Sequence, residues 1–146
     1  MKVLNTFIPE YSSKKSLSSK NKLSNNSFIY IPKTPSEIGI HAELIFVGRM
    51  CDLGYEVYRP HTDIWAADFV VYKDNQYSKV QVKSSTKDDY NINLCNRAGK
   101  RYVDYVDYVA FISFTENRMY YIPVKDIPKD AKVLTNHLLR KYILEM

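Results

Sequence analysis

Apolar residues recur at helical spacing between residues 34 and 54. The positions that share one helical face are Ile38, Ala42, Ile45, Phe46 and Leu53. Thr34 is a suitable N-cap, Pro35 fits the first helical position, and Glu37 completes a capping box. Gly54 is placed to end the helix. The pattern therefore predicts one amphipathic helix that packs on the rest of the domain.

Short runs of β-branched and aromatic residues follow the helix and predict strands. The first three are EVYRP (56–60), ADFVVYK (67–73) and SKVQVKSS (78–85), with the hairpin turn KDNQ between the last two. Two further strands, DYVAFISF (107–114) and RMYYIPV (118–124), are separated by the turn TENR. A helix, antiparallel strands, a crossover and more strands predict an α/β domain with the helix packed on a sheet.

Two segments have weaker patterns. In the polar stretch TKDDYNINLCNRAGKRY (86–102) and just after it, a helix over DYNINL (89–94) or VDYV (103–106) is possible, and the sequence leaves both open. The last twelve residues, TNHLLRKYILEM (135–146), predict a short helix. Its apolar side would carry Leu138, Leu139, Tyr142 and Met146.

The chain has 146 residues, of which 45% are hydrophobic, and this suits a domain with a sizeable core. Because no apolar run reaches the roughly 20 residues of a membrane helix, and the N-terminus lacks a signal-peptide core, we expect a cytoplasmic protein. Cys51 and Cys95 lie in different predicted elements and form no CxxC pair. We expect both to be free thiols in a reducing compartment.

The net charge of +5 is unevenly distributed. Residues 1–33 carry six lysines and one acidic residue, which accounts for the whole excess, and residues 11–27 are rich in Ser, Lys and Asn. We therefore expect a flexible basic N-terminal arm, 1–33, before a folded domain, 34–146. Between residues 73 and 101, seven basic side chains outnumber three acidic ones. Both excesses favour a polyanion such as nucleic acid as partner, although solvation also explains many lysine-rich tails.

Asp68 lies inside an apolar strand, where desolvation makes an unpaired carboxylate costly. Pairing across the hairpin turn should bring Gln81 and Lys83 of the next strand alongside it. A carboxylate and an amide oxygen suit Mg²⁺, and a lysine beside them can act on a water molecule or neutralise a phosphate. Taken alone, however, Lys83 is an ordinary strand lysine, and Glu43 is an ordinary surface residue of the helix.

Together these residues follow the order seen in a known group of nucleases. Glu43 in GIHAE, Asp68 in ADFVV, and Gln81 and Lys83 in VQVKSS are separated by 25, 13 and 2 positions. In this respect the chain resembles the PD-(D/E)XK nuclease superfamily over about residues 36–128. Within it, the chain is most similar to homing endonucleases encoded by group I introns, which carry Gln in place of the second acid.

Sequence outside the four site residues supports that resemblance. GYEVYRP fits the first strand of the group, and DYVDYVAFIS followed by RMYYIPVKDI fits its later strands. The chain departs from the superfamily at Ala67, which stands where a proline usually precedes the aspartate. It also departs at Gln81, since one negative charge of the usual metal site is missing.

The resemblance implies a restriction-endonuclease-like core, with a central mixed β-sheet flanked by helices, and a Mg²⁺-dependent DNA endonuclease of the homing type. It implies that Asp68 is the central metal ligand, with the Gln81 side-chain oxygen and the Val82 carbonyl as further ligands. Glu43 would reach the metal directly or through water, and Lys83 would act on the nucleophilic water and the scissile phosphate. One or two Mg²⁺ ions would bind in each active site, and Mn²⁺ would substitute for them.

The polar stretch after the third strand supplies groups that contact phosphates and base edges. The candidate DNA-binding residues are Lys87, Asn91, Asn93, Asn96, Arg97, Lys100 and Arg101. An ordinary polar loop would explain the same composition. The expected partner is double-stranded DNA. Because a small chain that cuts both strands needs one site for each, we expect a homodimer or homotetramer.

Other functions remain open for this sequence. A Holliday-junction resolvase or a restriction-like nuclease would use the same fold and the same four residues. A nucleic-acid-binding protein without catalysis is the alternative from a different class, and the complete set Glu43, Asp68, Gln81 and Lys83 argues against it.

Overall fold

The computed structural model describes residues 34–62, 66–88, 91–135 and 139–144. The predicted N-terminal arm lies outside these residues. Within these ranges, the chain forms one long helix, α1 (Pro35–Asp52), and short 3₁₀ helices at Tyr102–Tyr105, Val124–Asp126 and Arg140–Tyr142. The strands are β1 (Glu56–Tyr58), β2 (Phe69–Lys73), β3 (Gln76–Ser85), β4 (Asn91–Asn93), β5 (Tyr108–Ser113), β6 (Arg118–Pro123), β7 (Val133–Thr135) and β8 (Ile143–Leu144).

Local sequence accounts for both ends of α1, as predicted. The Thr34 hydroxyl accepts a hydrogen bond from the Glu37 amide at 3.2 Å, and the Glu37 carboxylate accepts one from the Thr34 amide at 2.9 Å. Just beyond the other end, Gly54 has a φ of +80°, a backbone conformation that glycine adopts without strain. The buried face of the helix consists of Ala42, Phe46 and Met50.

Six strands form a mixed sheet in the order β1-β2-β3-β5-β6-β8, which confirms the predicted fold class. All neighbouring strands are antiparallel except β3 and β5, which are parallel. The β2–β3 hairpin turns at Asp74 and Asn75, whose φ angles of +51° and +61° match the tight turns that suit the twist of a hairpin. The parallel pair requires a crossover, here called the β3–β5 connection (86–107).

The two faces of the sheet are covered by different parts of the chain. On one face, α1 packs on apolar residues of the sheet such as Phe69, Val80 and Ile112. On the other face, the β3–β5 connection contributes Ile92 and other residues to a second cluster. That cluster is Ile92, Leu94, Tyr102, Val103, Val109, Phe111, Tyr120, Ile122, Ile127, Leu134 and Leu139. The β3–β5 connection therefore takes the place of a second helical layer within the described residues.

Of the two alternative helices that the sequence left open after the third strand, one segment forms a strand and the other a short 3₁₀ helix. In DYNINL, residues Asn91–Asn93 form strand β4 because Ile92 is buried between two exposed asparagines, and β4 pairs antiparallel with β7. The alternative VDYV helix has a counterpart in the 3₁₀ turn at Tyr102–Tyr105.

In the described part of the predicted C-terminal helix, Leu139 is helical, Arg140–Tyr142 form a 3₁₀ turn, and Ile143–Leu144 form β8 instead of continuing a helix. The reason is that β8 pairs with the open edge of β6, with Ile143 opposite Tyr120 and Leu144 opposite Met119. Leu139 is buried, as expected. Leu138 and Met146 lie outside the described residues.

Two further expectations concern membrane-spanning helices and the cysteines. Within the described ranges, no helix combines the length and the apolar character needed to span a membrane. Cys51 is exposed and Cys95 is half-buried, and both are free thiols as predicted.

Candidate active site

Asp68 is fixed at the entry of β2 by its neighbours on β3. Its backbone amide donates to the Val80 carbonyl at 2.9 Å. Its carboxylate oxygen Oδ2 accepts hydrogen bonds from the Val82 amide at 2.8 Å and from Nε2 of Gln81. The register of the hairpin, with Phe69 opposite Val80, thus brings Asp68 beside Gln81, as the sequence predicted.

Burial raises the pKa of Asp68 above its usual value, and this is the largest effect on the group. The Val82 amide acts in the opposite direction, while the negative charge of Glu43 raises the pKa further. Lys83 and Arg59 lower it through their positive charges. Asp68 is therefore a partly desolvated carboxylate with a second carboxylate nearby, and such a site favours a bound cation.

Gln81 is 9% exposed and belongs to the few buried polar residues. Its Nε2 group donates to Asp68 and to the Val82 carbonyl oxygen, the latter at 3.3 Å. A half-turn of the side-chain amide would exchange its nitrogen and oxygen. Three oxygen donors, from a carboxylate, an amide and a backbone carbonyl, would then share one position, as hard divalent cations require.

Glu43 reaches the site from α1, but its carboxylate is paired with the guanidinium of Arg59 at 2.7 Å. Arg59 follows β1, its side chain is 69% exposed, and it lies 5.6 Å from the centroid of the Phe69 ring. Both residues line a shallow cavity of about 270 Å³ between α1 and the sheet. Arg59 is not among the site residues predicted from the sequence, although its place near the end of the predicted strand EVYRP was the available signal.

Lys83 lies two residues beyond Gln81 on β3 and is half-buried. Its ammonium nitrogen is 4.8 Å from the centroid of the Tyr102 ring. Lys83 also lines a groove of about 720 Å³, here called the basic groove, which runs from the site along the β3–β5 connection. The residues that line it are Lys83, Ser84, Ser85, Lys87, Asn91, Ile92, Asn93, Cys95, Asn96, Arg97 and Phe111.

The basic groove brings most of the candidate DNA-binding residues together with Lys83. Those that line it are Lys87, Asn91, Asn93, Asn96 and Arg97. The other two candidates do not line it. The ammonium group of Lys100 lies 4.9 Å from the centroid of the Tyr105 ring. Arg101 pairs with Asp104 at 3.2 Å and donates to the Ala131 carbonyl.

Two of the asparagines also shape the loop. The side-chain oxygen of Asn93 accepts from the Cys95 amide at 2.9 Å. That of Asn96 accepts from the Ala98 amide at 3.0 Å and from the Lys100 amide at 2.9 Å. These hydrogen bonds mimic those of backbone turns. The two side-chain oxygens therefore accept hydrogen bonds from amides of the same loop.

The donor set at Asp68 suits a hard divalent cation. Over the described ranges, no group of three His, Cys, Asp or Glu side chains converges on one point. Around the Asp68 carboxylate, the oxygen donors are the amide of Gln81 and the carbonyl of Val82, and the charge of Glu43 raises the pKa of Asp68. Oxygen donors of this kind suit Mg²⁺ or Mn²⁺ and lack the nitrogen and sulfur ligands of typical zinc sites.

A family model described as PD-(D/E)XK endonuclease matches residues 34–141. Among solved structures, a bacterial homing endonuclease, I-Ssp6803I, is similar with a TM-score of 0.58 and 22% identity, over 70% of this chain and 78% of that one. Hjc, a Holliday junction resolvase from the archaeal hyperthermophile Archaeoglobus fulgidus, has a TM-score of 0.54 and 15% identity, over 74% and 91%. At these identities the likenesses establish the fold. No curated protein sequence matches the chain.

Proposed function

The chain belongs to the PD-(D/E)XK endonuclease family, and from this premise we propose that it hydrolyses phosphodiester bonds of double-stranded DNA with Mg²⁺ as a site-specific, homing-type endonuclease. Family membership identifies the chain as a nuclease. One observation carries the finer proposal. Gln81 and Val82 of β3 hold the Asp68 carboxylate by hydrogen bonds, and Lys83 of the same strand β3 lines the basic groove.

The proposed metal ligands are Asp68, the side-chain oxygen of Gln81, the Val82 carbonyl and Glu43, directly or through water. They would hold one or two Mg²⁺ or Mn²⁺ ions. A bound ion would supply positive charge at the phosphate and lower the pKa of a water molecule. Support comes from the raised pKa of Asp68, because a partly desolvated carboxylate near a second one is stabilised by a cation.

Lys83 is the proposed catalytic cation. Hydrolysis requires a water oxygen to attack phosphorus while the bond to the leaving sugar oxygen breaks, and negative charge on the phosphate oxygens must be stabilised. An ammonium group at the entrance of the basic groove is suited to that task. Such a group can also orient the attacking water by hydrogen bonding.

The basic groove is the proposed DNA surface, since none of the described residues that line it is acidic. Lys87 and Arg97 would contact phosphates, and Asn91 on the exposed side of β4 would reach base edges. Asn93 and Asn96 retain amide groups that can donate. Lys100 and Arg101 do not line the groove. They would contact only the DNA backbone, beside the second half of the β3–β5 connection.

A homodimer or homotetramer is the proposed assembly, because each strand of the DNA requires one site. Support comes from α1, where Ile40 and Leu44 are 55% and 62% exposed and flank Glu43 in the sequence. Sedimentation analysis with and without DNA tests this proposal, and a monomer under both conditions would contradict it.

Resolution of Holliday junctions is the second candidate, and the structural likeness to Hjc favours it. The decisive experiment is a cleavage assay with linear DNA of random sequence, supercoiled plasmid and a four-way junction, each with Mg²⁺ and with EDTA. Cuts at defined sites in duplex DNA support a homing-type enzyme, whereas cleavage restricted to junctions supports a resolvase. DNA binding without cleavage of any substrate would contradict both and favour a non-catalytic protein.

A further inference from the structure

We propose that Tyr102 is a positioning residue, whose ring holds the Lys83 ammonium at the active site and whose hydroxyl ties strand β4 to that site. This inference rests on the proposed function. Tyr102 has no place in the sequence pattern of the nuclease motif. It is brought to the site by the 3₁₀ turn Tyr102–Tyr105, some twenty residues further along the chain than Lys83.

Tyr102 is rigidly held. It is 5% exposed and belongs to the apolar cluster beneath the β3–β5 connection. Its backbone amide donates to the Leu94 carbonyl at 3.1 Å, and its hydroxyl donates to the Asn93 carbonyl. Both hydrogen bonds join Tyr102 to the last residue of β4 or to the residue after it, so they hold the ring against the end of that strand.

The ring of Tyr102 contacts the catalytic cation directly. The Lys83 ammonium lies 4.8 Å from the ring centroid, within the distance of about 6 Å at which an aromatic face attracts a cation. A lysine side chain has many rotamers and loses much entropy when it is fixed. The ring therefore favours the orientation that keeps the ammonium between Asp68 and the basic groove.

The hydroxyl of Tyr102 stays protonated in this environment. Burial raises the pKa of Tyr102 far above its usual value, and the negative charge of Asp68 acts in the same direction. The hydroxyl therefore keeps its proton and can donate the hydrogen bond to the Asn93 carbonyl.

The consequence is a link between DNA binding and catalysis. Asn91 and Asn93 are exposed on β4 and line the basic groove. DNA that shifts β4 would shift Tyr102 and thereby the Lys83 ammonium. Correct placement of Lys83 would thus depend on how DNA occupies the groove.

Two substitutions separate the two roles of Tyr102. Tyr102→Phe keeps the ring and removes the hydroxyl, so single-turnover cleavage at saturating DNA should stay within about twofold of wild type. Its dissociation constant for DNA should rise because β4 is held less firmly, by at most about fivefold, since the lost hydrogen bond to Asn93 also exists without DNA. Tyr102→Leu removes the ring as well, and its cleavage rate should fall about tenfold, as expected for a cation–ring contact.

A matched control is Tyr120→Phe, which removes the hydroxyl of another tyrosine of the same apolar cluster. Its hydroxyl donates to Glu116, away from Lys83. It should lower thermal stability in the same range as Tyr102→Phe while leaving cleavage and DNA affinity unchanged. If Tyr102 affected only the stability of the fold, Tyr102→Phe and Tyr120→Phe would have the same cleavage rate and the same affinity for DNA.

The decisive measurement places Tyr102→Leu in a Lys83→Ala background. If the ring acts through Lys83, the double variant should cleave within about twofold of Lys83→Ala alone. If the losses of cleavage rate caused by Tyr102→Leu and Lys83→Ala multiply in the double variant, the inference is overturned. A tenfold loss of cleavage in a folded Tyr102→Phe variant would also overturn it. If Tyr102→Leu does not fold, the Phe variant and its control still decide. A wild type that cuts no DNA would instead overturn the proposed function, and the inference with it.

Discussion

The guanidinium of Arg59 lies 2.7 Å from the carboxylate of Glu43, beside the strand that carries Asp68. This cation also lowers the pKa of Asp68, which the charge of Glu43 raises. Arg59 therefore neutralises part of an acidic site that lacks the second acid usual in its superfamily. A divalent ion that uses Glu43 as a ligand has to compete with Arg59 for it.

We expect Arg59→Ala to tighten the binding of Mg²⁺ or Mn²⁺. The gain should be about threefold, since an exposed ion pair is worth little in water. Calorimetric titration of the DNA-free protein with each ion measures it independently of cleavage. Arg118→Ala, at an exposed position at the start of β6, controls for the loss of one positive charge. Weaker ion binding by Arg59→Ala would indicate that Arg59 organises Glu43 for the metal instead.

Asp68→Asn should abolish cleavage while DNA binding and folding persist. The asparagine oxygen can still accept the hydrogen bond from the Val82 amide, which Asp68 receives at 2.8 Å. The variant loses the negative charge that a cation requires. Cleavage with Mg²⁺ and DNA binding in EDTA are the measurements. Near wild-type cleavage by the purified variant would disprove the assignment of the metal site.

The same substitution tests the electrostatics of Asp68 through the free energy of unfolding. Because the pKa of Asp68 is raised in the folded state, the fold binds its proton more tightly than the unfolded chain does. Stability should therefore fall as the pH rises through the interval between the unfolded and the folded pKa. Asp68→Asn should be more stable than wild type at neutral pH, and the difference should vanish in acid. Urea denaturation at pH 4 and pH 7, with exposed Asp130→Asn as control, measures this.

Gln81→Glu restores the acid of the wider superfamily and should remain active with tighter Mg²⁺ binding. In metal-free protein the new carboxylate would meet the carboxylate of Asp68, which now accepts a hydrogen bond from Gln81. Like charges at that distance oppose folding. The melting temperature in EDTA should accordingly fall below that of wild type, and Mg²⁺ should raise it by more. A folded but inactive variant would mean that the neutral amide is required.

Lys83→Ala should reduce the cleavage rate by about 10²-fold or more, the scale of a group that stabilises charge or transfers a proton in the transition state. Ion binding should persist because Lys83 is not a proposed ligand. Calorimetry and single-turnover cleavage measure the two properties separately. Loss of ion binding with residual cleavage would point to a structural role.

Local patterns in the sequence predict much of this fold. The capping box of α1 is set by Thr34 and Glu37, and the β2–β3 turn by Asp74 and Asn75. Because these signals are confined to a few residues, the sequence displays them directly. The hairpin also fixes the register that joins Asp68 to Gln81.

Long-range contacts account for what the sequence does not reveal. Strand β8 forms because the edge of β6 is available, although its residues have a helical pattern. Strand β4 depends in the same way on β7, which follows it by forty residues. Arg59 and Tyr102 reach the candidate site through such contacts; the place of Arg59 at the end of the first predicted strand is its one local signal, and Tyr102 has none.

The final prediction concerns the basic excess in residues 1–33, which lie outside the described structure. These residues carry the entire net charge of +5. Lysines that meet phosphates release counterions, so each contact steepens the dependence of affinity on salt by about 0.9 in a plot of log K against log salt. Removal of residues 1–27 deletes five lysines: Lys2, Lys14, Lys15, Lys20 and Lys22.

If about three to five of these lysines contact DNA, the slope should become shallower by roughly three to four units. Affinity at low salt should fall equally for cognate and random DNA, because phosphate contacts carry no sequence information. The cleavage rate at saturating DNA should hardly change, since Asp68 and Lys83 lie elsewhere. A full-length variant with the same lysines replaced by glutamine separates charge from length, and it should reproduce the deletion. An unchanged slope in both proteins would exclude the segment from the DNA interface, whereas a loss limited to cognate DNA would mean that it reads sequence.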